Sequence, residues 1–132
     1  MTRIFAIAVA AVMASCATPA APPNELSGRW GGEHVGLSFD GASGRLDYDC
    51  AAGTIEGPLV PRADGSFAAT GTHTPGHGGP DRVGEVDPSF PARYSGHVRG
   101  NVMRITVRVA NGVLIGPYTL RRGAEPMLLR CL

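Results

Sequence analysis

The residues whose types could do chemistry gather in "THTPGHGGPD", where His73 and His77 stand four apart with Asp81 close behind. Two imidazoles and a carboxylate form a donor set suited to zinc or copper. A spacing of four brings side chains together on a helix, and Pro75 with Gly76, Gly78 and Gly79 excludes one here. As a loop the segment would lose entropy on closing around an ion. His73 and His77 are therefore the metal candidates, and the expectation is that no metal resides there. Asp47 and Asp49 stand two apart, which on one strand face brings carboxylates within roughly 7 Å. Paired carboxylates hydrolyse glycosides when one is buried and its pKa raised, whereas these two are expected to be solvated alike. No G-x-S-x-G elbow accompanies the serines, and "GHGGPD" does not follow a strand and open a helix as a phosphate cradle must. His34 and His97 read as outward-facing strand residues. The expectation is of no enzyme and no cofactor.

The elements that must position these residues are strands. In "HVGLSFD" Val35, Leu37 and Phe39 alternate with polar residues, and in "RLDYDC" Leu46, Tyr48 and Cys50 do the same. In "VMRITVRV" Met103, Ile105, Val107 and Val109 alternate with Arg104, Thr106 and Arg108. Turn signals, "DGASG", "RADG", "RGN" and "ANG", separate such runs. The spacing predicts strands over 34–40, 45–51, 54–60, 66–73, 93–99, 101–109 and 113–121, with one more near Arg82 to Val86 inside the long connection 74–92. Short sequential antiparallel strands tend to close, because closure removes exposed edges. The predicted fold is all-β, a small antiparallel up-and-down barrel, with a β-sandwich as the alternative.

Composition narrows the function. All twelve cations of the chain are Arg, and without Arg3 they balance the eleven carboxylates. No basic surplus exists to displace counterions from phosphates, so nucleic acid is not an expected partner. Nineteen Gly and eleven Pro point to tight turns rather than long helices.

Residues 1–15 carry a basic start at Arg3, an apolar run from Ile4 to Ala14 and small residues before Cys16, the layout of an export signal. Met13-Ala14-Ser15-Cys16 resembles the lipobox of bacterial lipoproteins. That resemblance implies cleavage before Cys16, a diacylglyceryl thioether on its sulfur and an acylated amino terminus. The alternative is an ordinary secretory signal ending near Ala17. Residues 16–27 then hold the lipidated cysteine and a Pro/Ala-rich tether, and 28–132 a single barrel domain. With Cys16 lipidated in an oxidising compartment, Cys50 and Cys131 remain to form one disulfide. Its loop of about 80 residues would contribute roughly 4 kcal/mol.

Gly28-Arg29-Trp30 resembles the Gly-x-Trp of lipocalins and related calycins, and implies a Trp30 that closes the barrel floor under an Arg of the last strand. "YTLRRG" offers Arg121 or Arg122 in that place, with Arg121 taken as the closing residue. The lipobox, the "DYDCAAGTI" centre and the "LLRCL" end together look like small lipoproteins of GC-rich bacteria. The expectation is a lipid-anchored, non-enzymatic binding or structural module of the cell envelope, at the outer membrane. Its partners would be the membrane through the anchor, and a small apolar ligand or an envelope protein. Such a ligand would find space beside Gly57, Ala69, Gly71 and Gly96, near Tyr48, Phe67 and Tyr94. An alternative function comes from Leu46 to Cys50, Ala92 to Gly96 and Arg130 to Leu132, which look like pieces of the membrane-bound inhibitors of c-type lysozyme. That likeness implies inhibition of a cell-wall-degrading enzyme through an exposed loop.

Overall fold

The computed structural model describes residues 14–16 and 25–132, so most of the signal and tether expected from the sequence lies outside the described residues. Eight strands follow in order: β1 (Gly28–Gly32), β2 (Val35–Phe39), β3 (Ser43–Tyr48), β4 (Ala51–Glu56), β5 (Ser66–Pro75), β6 (Phe90–Arg99), β7 (Val102–Val109) and β8 (Leu114–Arg122). Each pairs antiparallel with the next, and β8 returns to β1, so the sheet is a closed up-and-down barrel and not a sandwich.

The period-two pattern becomes the inside and outside of the wall. Met103, Ile105, Val107 and Val109 are buried, while Arg104 and Arg108 face solvent. Trp30, Leu46, Ile55, Ile105 and Leu120 fill the interior with essentially no exposure. Two of the inward glycines lie against aromatic rings. A Cβ on Gly44 would meet the Phe39 ring at 2.7 Å, and one on Gly96 would meet Phe67 Cζ at 2.8 Å. These glycines complement aromatic rings, which is how a narrow barrel reaches core density. Gly57, expected inside, lies instead past the end of β4 and is exposed, with a φ of 79°.

Two hairpins depart from the sequence pattern for one physical reason. β1 and β2 are separate strands joined at Glu33-His34, and β3 and β4 are joined at Asp49-Cys50. Both turns use a non-glycine residue in the left-handed region, His34 at φ 69° and Cys50 at φ 55°. Without Gly or Asn they lack the usual turn signature. Cys50 therefore sits in a turn and not on an inward strand face. Gly53, which falls between the strands expected at 45–51 and 54–60, sits inside the barrel on β4. Elsewhere turn chemistry is legible: Asp40 accepts hydrogen bonds from the Ala42 and Ser43 amides at 3.0 and 2.9 Å, holding the β2–β3 turn. The connection 76–89 holds no strand near Arg82–Val86, only a turn in which the Glu85 amide donates to the Arg82 carbonyl at 3.1 Å.

The seam is short. β1 meets β8 at two register positions, Trp30↔Arg122 and Gly31↔Arg121, and just past β8 the Gly123 amide donates to the Arg29 carbonyl at 2.7 Å. The guanidinium of Arg122 lies 4.3 Å from the Trp30 ring centroid. This corrects the assignment of that role to Arg121: neighbouring strand residues point to opposite faces, and Arg121 is on the exposed face opposite Gly31. In urea unfolding, Trp30→Ala is expected to cost about 3–5 kcal/mol through the cavity it leaves. Arg122→Ala should cost about 0.5–2 kcal/mol, and Arg121→Ala less than about 0.5 kcal/mol.

Candidate functional site

The barrel has two unlike ends. The chain enters at the end holding Leu26, whose amide donates to the Leu59 carbonyl at 2.8 Å. The other end carries the turns 33–34, 49–50 and 110–113, the long connection 76–89, and the chain's last residues. Those last residues form a strap. After β8 they cross the outer face of β1 and β2, where a Cβ on Gly31 would collide with the Ala124 carbonyl and one on Gly36 would lie 2.8 Å from Pro126. The strap then pairs with the first turn, the His34 amide donating to the Met127 carbonyl at 2.7 Å and the Met127 amide to the Gly32 carbonyl at 3.0 Å. Farther on, the Leu129 amide donates to the Asp49 carboxylate at 2.6 Å, and Cys131 is disulfide-bonded to Cys50 across 81 residues of sequence. In the chain-entropy account a loop of that length stabilises by about 4.5 kcal/mol.

The two left-handed turn residues are therefore both tied to the strap or its holder. Asp49 accepts from Leu129 through Oδ1 and pairs with His34 Nδ1 through Oδ2 at 2.5 Å. Asp47 instead pairs with Arg45 at 3.1 Å. The two aspartates that could have formed a catalytic dyad thus have different partners and positions, one on a strand and one in a turn.

Inside this end lies a phenol network. The Tyr94 hydroxyl donates to the Thr72 carbonyl at 2.6 Å and so must accept from Tyr48, whose hydroxyl lies at 2.8 Å. Gly53 makes room: a Cβ there would stand 2.7 Å from the Tyr48 oxygen and closer still to that of Tyr94. Burial pushes the Tyr48 phenol well up from its ordinary value and raises that of Tyr94, which keeps both as neutral hydrogen-bonding groups. Tyr118 stacks on Tyr48 with ring centroids 6.0 Å apart. Alternation places Tyr48 and Tyr94 inside, and a buried phenol needs a partner; which partner is not readable from the sequence.

The structure separates the two metal candidates. His73 is on β5, buried against the Tyr48 ring at 5.6 Å, and its Nδ1 is the one buried side-chain polar atom without a hydrogen bond among the described residues. His77 is in the exposed connection, its Nε2 3.3 Å from Asp87 and 3.7 Å from Asp81. Among the described residues no group of three His, Cys, Asp or Glu side chains is arranged to hold a metal. Outside the barrel, Gly31 and Gly32 floor a crevice of about 560 Å³ between β8 and the strap, walled by Pro117, Tyr118, Glu33 and Met127.

The chain matches no family model, no curated protein and no solved structure. Of the three segments that resemble lysozyme inhibitors, Leu46 to Cys50 run from β3 into the β3–β4 turn and Arg130 to Leu132 lie in the strap. Ala92 to Gly96 run along the middle of β6 with Ala92 and Tyr94 buried.

Burial alone holds the His73 imidazole below its ordinary range. The folded chain therefore keeps it neutral, while the unfolded chain takes up a proton as pH falls through about 6.5. The stability this group confers is present above that pH and lost as pH drops toward the folded value. Unfolding free energy should fall more steeply between pH 7 and pH 5 in the parent than in His73→Leu; parallel pH profiles would contradict the assignment.

Proposed function

We propose that this chain is a lipid-anchored module of the bacterial cell envelope, at the outer membrane, which works by non-enzymatic binding and not by catalysis. The observation that carries the binding reading is the division of labour in the barrel. The interior is occupied by Trp30, Leu46, Ile55 and Leu120 down to zero or near-zero exposure, so contact with anything else must use the outside. One end is built for it, with a covalently fixed strap and an exposed connection. The buried tyrosines are engaged with each other and with the Thr72 carbonyl, which supports a bracing role for them and not a catalytic one.

The anchoring part rests on the residues before the barrel. Cys16 is a free, exposed cysteine, while the other two cysteines are consumed by the disulfide. It stands nine residues before Glu25, a reach of at most about 32 Å for extended chain. Acyl chains on it would contribute about 0.8 kcal/mol per buried methylene. The membrane is then the first partner, and the second meets the strapped end. A small apolar ligand held inside the barrel finds less support, since backbone or side-chain atoms already lie against Gly44, Gly71 and Gly96.

Cys16→Ser tests the anchor. In a bacterial host the parent should incorporate labelled palmitate and sediment with membranes, and the variant should lose both. A parent that is soluble and unlabelled would contradict lipidation.

A further inference from the structure

Solvent-exposed apolar side chains are unevenly spread. Of the ten large ones among the described residues, nine lie at the strapped end, every one but Val60. Val83 and Val86 come from the connection 76–89, Val113 and Leu114 from the β7–β8 turn, and Leu128 and Leu129 from the strap. Three separate segments thus deliver pairs of apolar side chains to one end of a barrel whose wall is otherwise lined outside by Arg, Thr and Ser. Exposed apolar side chains gathered on one face mark an interaction surface.

The charges at the same end fix the kind of partner. Its carboxylates are Glu33, Asp49, Asp81, Glu85 and Asp87, and its guanidinium groups are Arg82 and Arg130, with Arg108 on the adjoining wall opposite Leu114, so carboxylates outnumber guanidinium groups there. His34 and His77 are each paired with one of those aspartates. Glu33 also walls the crevice beside Met127 and Pro117, so acidic and apolar groups are interleaved there. A surface of this composition repels anionic phospholipid headgroups, which attract basic segments. It also lies at the opposite end of the barrel from the chain's entry at Leu26. Both features favour a protein over a lipid surface.

We propose that the strapped end docks a cationic, amphipathic segment of a partner protein, its apolar face on the Val, Leu and Met side chains and its basic face toward Glu33, Asp81 and Glu85. This rests on the binding reading and names the partner's chemistry. Amphipathic segments dock by laying an apolar face into such a surface, and the flanking charges steer encounter and set specificity.

The test uses the isotope-labelled full chain carrying Cys16→Ser, so that no acyl group competes, and a synthetic amphipathic helical peptide with Leu on one face and Lys on the other. Amide shift changes should be confined to residues 33–34, 76–89, 110–114 and 127–132. A peptide with Glu in place of Lys should bind at least about tenfold more weakly. The double variant Asp81→Lys, Glu85→Lys, both on the exposed connection and away from the core, should reverse the preference between the two peptides. Shift changes spread over the barrel wall, equal affinity for both peptides, or an unchanged preference in the double variant would overturn the proposal. So would attachment of this end to vesicles of anionic phospholipid, which would make the occupant a lipid surface. The fate of the anchor is read separately, by membrane fractionation of the parent, so the two readings fail independently.

Discussion

Closure of the ring at the β1–β8 seam is the constraint on which the rest of the structure depends. Every other neighbouring pair of strands shares at least five register positions, and this pair shares two. Left at that, β1 and β8 would be edges, with unpaired amides open to other chains. Two devices compensate. Arg122 covers the Trp30 ring and couples the last strand to the first. From outside, the chain beyond β8 turns back over β1, hydrogen-bonds to the first hairpin and is fixed to the β3–β4 turn by Cys50–Cys131. The disulfide acts as the buckle of a belt drawn across the weakest interface.

That belt also shapes what the protein can do. It holds Leu128 and Leu129 in solvent beside two turns and a long connection, so the end it crosses becomes apolar and acidic while the interior stays packed. A barrel with a filled core and a specialised rim fits the proposed binding role, with rigidity coming from the wall and recognition from the loops. The mutually bonded tyrosines beneath the rim fit this division, since they brace the wall from inside.

The sequence discloses the wall far better than the rim. Alternation in 102–109 and 35–39 names the buried residues correctly, because period two is imposed residue by residue by the pleat. The Cys50–Cys131 pairing is legible once Cys16 is set apart, and Trp30 is recognisable beneath an arginine of β8, Arg122 and not its neighbour Arg121. The turns at Glu33-His34 and Asp49-Cys50 are not legible, since their left-handed residues lack the usual glycine or asparagine and are held by the strap, a tertiary partner some 80 or more residues away in sequence. That single gap explains why alternation alone does not separate β1 from the approach to β2, why Gly53 falls outside the expected strands, and why His34 and Asp49 look like plain surface. His73 and His77 look like one cluster in sequence; the edge of the barrel wall passes between them.

Native-state hydrogen exchange at the seam, with and without reductant, measures most directly whether the strap holds the ring shut. With the disulfide intact, the seam amides among Trp30, Gly31, Arg121 and Arg122 should exchange only through global unfolding, as the β6–β7 amides do. After reduction they should exchange through a smaller local opening while β6–β7 keep their protection. Seam amides that exchange freely in the oxidised protein, or that are indifferent to reduction, would contradict a ring held shut by its strap.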